Sequence, residues 1–191
     1  NMLKRNFFLA ATLTAMALTG NVFAQDKEFP TKPLRIFVPF TAGSGSDTSA
    51  RFFGDRLAKQ FGQTALVENK PGGNGFIAID TFKRGATDGH DLIQLDGVHL
   101  SAYPHLFKKL PYDAKADFEP LLPLFKTYFF VAVATDSPYK TVGDLVADAK
   151  TNPGKLNYGS WSVGNPVHLG SALFESVTGT DMQHVIYKET S

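Results

Sequence analysis

The chain has 191 residues, 43% of them hydrophobic, a formal net charge of +1 and no cysteine. Lack of cysteine excludes disulfide frameworks, thiolate metal sites and cysteine nucleophiles, and the five histidines fall at no metal-ligand spacing. Lys and Arg are scattered singly rather than gathered in the basic stripe of a nucleic-acid protein. The length suits one or two small domains with a true core, and nothing in the composition calls for a cofactor or a metal.

At the start, Lys4 and Arg5 precede an uncharged apolar run from Phe7 to Leu18, and Val22-Phe23-Ala24 offers compact residues at a cleavage point. This is the pattern of a secretory signal, with cleavage expected after Ala24. The run is shorter than the roughly 20 residues of a spanning helix, so an exported, periplasmic protein is expected, without stable membrane insertion once the signal is removed.

Leu34 to Phe40 is a continuous apolar strand-like run, followed by the turn-rich Thr41-Ala42-Gly43-Ser44-Gly45-Ser46. Ala50, Phe53, Leu57 and Phe61 recur at helical spacing, and Gly62 closes that helix. Ala65 to Glu68 predicts a strand, Phe76 to Arg84 a short helix and Leu92 to Leu95 a strand. Leu106 to Pro120 is expected to be mostly loop. Tyr128 to Ala134 is the most strand-like run in the chain. Thr141 and Asp144 predict a capping box opening a helix over 142–150. Leu156 to Gly159 predicts a strand, Asn165-Pro166 a helix start, and Met182 to Tyr187 a last strand. On that helix Leu169, Ala172, Leu173 and Val177 share a face. Strand, loop, helix and strand recur twice, which implies α/β architecture with parallel βαβ units in two lobes, 25–127 and 128–191.

Two loops join a strand to a helix. In Phe40, Thr41, Ala42, Gly43, Ser44, Gly45, Ser46 and Asp47, backbone N–H groups and a helix dipole converge, which favours an anion. Gly43 and Gly45 match a dinucleotide fingerprint only partly, because Thr48 stands at the third glycine position and the phosphate-loop lysine is missing. Asp47, at the start of the helix, is expected to order the loop rather than serve as a catalytic acid. The second loop is Ser160, Trp161, Ser162, Val163, Gly164 and Asn165. It departs from the hydrolase elbow at Ser160, where glycine is favoured, and no base is assembled beside it from sequence. Neither loop carries Lys or Arg. Neutral donors at two helix starts suit a carboxylate that must later be released, at about 1.5–3 kcal/mol per hydrogen bond to the charged group. His99, just past a strand end, joins the candidate ligand contacts.

These loops and their flanks resemble the Bug family, the solute receptors of tripartite tricarboxylate transporters. The resemblance rests on Phe29-Pro30-Thr31-Lys32-Pro33-Leu34-Arg35-Ile36, Val38-Pro39-Phe40, the run Ala42 to Asp47, and Val67-Glu68-Asn69-Lys70-Pro71-Gly72. It continues through Thr87-Asp88-Gly89, Lys108-Lys109-Leu110-Pro111-Tyr112-Asp113, Pro153 to Gly159, His168-Leu169 and Val185-Ile186-Tyr187-Lys188. It implies a two-lobed periplasmic binding fold of type II kind with its C-terminal part missing. That fold closes on a di- or tricarboxylate or an aromatic acid such as terephthalate, delivers it to membrane permease subunits, and catalyses nothing. Trp161, in a loop the family builds from small residues, points to a flat ligand; Glu189 stands where the family commonly has glycine. Two other outcomes stay open: a receptor presenting its ligand to a membrane sensor kinase, and an exported serine hydrolase.

Overall fold

The computed structural model describes residues 28–187; the expected signal segment and Glu189 lie outside them. Among the described residues, those from Lys32 onward group into one compact unit.

Strand β1 (Leu34–Val38) lies at the centre of a three-stranded sheet between β2 (Ala65–Asn69) and β3 (Asp91–Ile93), both parallel to it. A central parallel strand is covered on both faces and therefore reads as a continuous apolar run. Alternation sends Ile36 and Val38 to one face, where Ala50 of helix α1 (Gly45–Phe61) packs with Leu57, Ala65, Val67 and Leu92 around it. Phe37, fully buried, faces the other way and meets Phe82 of helix α2 (Phe76–Lys83) edge-on, with ring centroids 6.2 Å apart. Burying each such side chain contributes about 1.5–3 kcal/mol. Gly54 lets α1 settle on the sheet, since a Cβ there would come within 3.3 Å of the Ile36 side chain. Arg35 forks onto Asp91, its registered partner, at 2.8 and 2.7 Å, fixing the β1–β3 pairing.

Two short helices follow, α3 (Gly97–Leu100) and α4 (Tyr103–Leu106). The second sheet pairs β4 (Asn157–Ser160) with β5 (Gln183–Ile186) in parallel, preceded by α5 (Val142–Thr151) and bridged by α6 (Pro166–Thr178). Local caps formed as expected: Thr141 and Asp144 exchange the two hydrogen bonds of a capping box, and Gly62 and Gly179 take left-handed conformations at helix ends.

Two expectations fail. The 128–134 run forms no strand: Phe130 is 87% exposed, and Tyr128, Phe129, Val131 and Val133 are exposed with it. A strand exists only when a neighbour receives its backbone groups, and no described strand pairs there. On α6, Leu173 and Val177 are exposed rather than buried. The two-stranded sheet beneath is too narrow to cover that face.

Candidate functional site

Ser44 caps α1, its hydroxyl accepting from the Asp47 amide at 3.2 Å. The helix therefore begins at Gly45, so Gly45, Ser46 and Asp47 belong to its first turn and not to the preceding loop. Asp47 turns inward, 3% exposed. Its carboxylate accepts from the Gly43 amide (2.8 Å), Arg51 Nε (3.1 Å) and Asn69 Nδ2 (2.9 Å), and Asn69 also donates to the Phe40 carbonyl. Burial alone pushes this carboxyl's pKa up; the hydrogen bonds from Arg51, Gly43 and Asn69 outweigh it and hold the pKa below the ordinary value. Asp47 thus ties Phe40 and Gly43 to α1. The N–H groups of Gly45 and Ser46, in the first turn, have no carbonyl one turn back to receive them.

Both residues face an open cleft of 1290 Å³ that is also lined by Phe40 and Ser44, by Gln94, Leu95, Asp96 and Gly97 beyond the end of β3, by Trp161 of the second loop and by Pro166 at the start of α6. Arg56 and Lys126 line it too, so cations border the cleft although neither loop supplies one. Of the residues expected to bind ligand, Phe40, Ser44, Gly45, Ser46 and Trp161 line the cleft; Thr41, Ala42, Gly43, Asp47, His99, Ser160, Ser162, Val163, Gly164 and Asn165 do not. Gln94 to Gly97 escaped the sequence reading. Their signal was position, since ligands gather beyond the carboxyl ends of parallel strands.

The second loop is built around Asn165, which is 1% exposed. Its side-chain oxygen accepts from Val167 and His168 amides at 2.8 and 3.1 Å, while its Nδ2 donates to Ser160 Oγ (2.8 Å) and the Ser162 carbonyl (2.5 Å). Gly164, at φ +81°, presses on Leu106 and Tyr103, where a Cβ would lie 3.1 and 3.3 Å from their side chains. His99 is buried, with Nδ1 3.0 Å from the Asp96 carbonyl and Nε2 2.9 Å from the Asn74 carbonyl. It clamps two turns together instead of facing the cleft.

The structure also assembles a pair that sequence did not. His184 Nε2 lies 2.5 Å from Ser160 Oγ, and the His184 ring stacks on His168 with centroids 4.2 Å apart. Burial pushes the His184 pKa down, and neighbouring His168 adds to this against the pull of Glu175. Ser160 is 6% exposed, and its oxygen also accepts from Asn165 and sits 3.1 Å from the Ser162 carbonyl. Those contacts make it a junction that shapes the loop. Among the described residues no group of His, Asp and Glu is arranged to hold a metal, and no helix is long and apolar enough to cross a membrane.

Residues 49–191 match the family described as tripartite tricarboxylate transporter family receptor. The chain belongs to that family. It is 33% identical to the UPF0065 protein in the gbd 5'region of Cupriavidus necator, over 100% of this chain and 59% of the relative. Among solved structures it is similar to an R. palustris protein with adipate (28% identity, TM-score 0.74, covering 85% of this chain and 54% of that one). It is also similar to MatC from Rhodopseudomonas palustris with bound malate (26% identity, TM-score 0.69, covering 85% and 55%). The chain spans about half the length of the curated relatives and solved proteins it matches. This family of receptors is one of solute-binding proteins with small carboxylate ligands among its structures, and the α/β fold agrees with it.

Proposed function

We propose that this chain is the ligand-capturing part of a periplasmic receptor that holds a carboxylate at the start of α1 and hands it to membrane permease subunits. The carrying observation is the pair of first-turn N–H groups, Gly45 and Ser46, opening on a cleft whose nearby walls include Phe40 and Trp161. Such a terminus favours negative charge through its dipole and its unmet donors. Ligands of similar proteins, adipate and malate, are carboxylates, which supports the same class here. The three-stranded and two-stranded sheets are read as two lobes, 25–127 and 128–191, that close on the ligand with Ser160 to Asn165 as the second jaw. Trp161 supplies a flat apolar surface and favours an acid with an aromatic ring. Binding without turnover is the reading, because the Ser160 hydroxyl is engaged by Asn165 and buried away from the cleft. Calorimetric titration of the chain with adipate, malate and terephthalate is the test: saturable binding of at least one acid is expected, and none for uncharged analogues of the same shape.

A further inference from the structure

Two buried side-chain atoms among the described residues have no hydrogen-bond partner, Thr41 Oγ1 and Gln94 Oε1. Both lie at the carboxyl-terminal edge of the same parallel sheet. Gln94 follows β3 directly, where its amide donates to the Phe37 carbonyl of β1 at 3.0 Å, and Thr41 follows β1. Of the two, Gln94 also lines the cleft that holds the start of α1, and it is 7% exposed. A buried polar atom left unmet is disfavoured unless something brings it a partner. Every other strand-end polar group described above is tied up: Asn69 by Phe40 and Asp47, Ser160 by Asn165 and His184. Thr41 and Gln94 are the exceptions, and of the two it is Gln94 that lines the cleft.

Asp96, two residues on, lines the same cleft. Burial raises its carboxyl pKa, with His99 pulling the other way. The cleft is therefore two-sided in chemistry. The start of α1 offers donors, and the stretch after β3 offers acceptors. A plain diacid satisfies only the first.

Resting on the carboxylate reading above, we infer that Gln94 is a specificity residue whose side-chain amide accepts a hydrogen bond from a hydroxyl or ammonium group carried beside the ligand's carboxylate. The ligand class is then a hydroxy- or amino-substituted carboxylic acid rather than an unsubstituted one. An unmet acceptor discriminates well, because a ligand lacking the donor leaves it unpaired.

Titrating the full chain with succinate, malate and aspartate tests this, since the three share a four-carbon diacid skeleton and differ at one substituent. Malate or aspartate should bind about ten-fold tighter than succinate, and which of them does so tells hydroxyl from ammonium. In Gln94→Leu and in the closer-shaped Gln94→Met that ratio should fall to about one, with cooperative thermal unfolding like the wild type's reporting that the variants are folded. Equal binding of all three acids by the wild type overturns the inference and leaves the carboxylate reading standing, as does a ratio that survives both substitutions. Failure of succinate, malate, aspartate, adipate and terephthalate alike to bind removes the carboxylate reading, and this inference with it.

Discussion

Asp47 shows how one side chain shapes the entry to the cleft. With its side chain 4% exposed, it faces Arg51 Nη2 at 3.0 Å and collects the Gly43 and Asn69 donors as well. Asp47→Ala leaves those part-buried donors without their carboxylate, while Arg51 stays open to water, and losing such hydrogen bonds costs about 1–2 kcal/mol. Urea unfolding should show that loss, and a change below about 0.5 kcal/mol would mean the network does not hold the loop. His184 makes a second residue-scale prediction. Its folded pKa lies below the ordinary 6.5, so above that pH both folded and unfolded chains carry it neutral and its contribution to stability is fully present. As pH falls below 6.5, the unfolded chain takes up a proton that the folded one resists, and stability drops until the folded chain takes it up too. The melting temperature should fall over that range in the wild type and less in His184→Gln; identical profiles would remove the account. The caps at Thr141 and Asn165 were legible because a cap is decided by residues two or three positions apart, whereas the cap at Ser44 was read as part of the ligand loop. The Ser160–His184 pair was not, because it depends on the register of β4 with β5, which sets Tyr158 against His184 and Ser160 against Ile186. Gln94 escaped for a similar reason: its place beside Phe37 comes from a pairing across 57 positions of chain, not from its neighbours in sequence.

At the scale of elements, the sequence reading found the four longer helices and the five paired strands to within a few residues, since apolar periodicity and glycine stops act locally, but it missed the short α3 and α4. It failed where an element needs a distant partner. Tyr128 to Ala134 has the β-branched and aromatic composition of a strand, yet its backbone pairs with no described strand and its side chains stand in the open. Exposed apolar runs of this kind with unpaired backbone promote association between copies. Phe130→Lys should therefore shift sedimentation profiles toward the monomer while changing stability by less than about 0.5 kcal/mol. A stability loss well beyond that, without any change in association, would show that Phe130 is packed in solution.

At the scale of the whole molecule, the two βαβ units place two helix starts, those of α1 and α6, against one cleft, with Pro166 and Trp161 on the second side and Ser44 to Ser46 on the first. The β3 end adds acceptors between them in sequence. Family membership and fold agree with a solute-binding receptor, and the central claim of the proposed function is that the α1 start is the seat of a carboxylate. The most direct measurement is calorimetric titration of the acid that the wild type binds best into Gly45→Asp. Gly45 has nothing within 4 Å of a Cβ position, so the substitution is sterically open and sets a negative charge at the donors. Binding should weaken by at least about a hundred-fold, about 2.7 kcal/mol, with the melting temperature nearly unchanged. Undiminished affinity in a folded Gly45→Asp protein would contradict the account, because the carboxylate would then be held somewhere else.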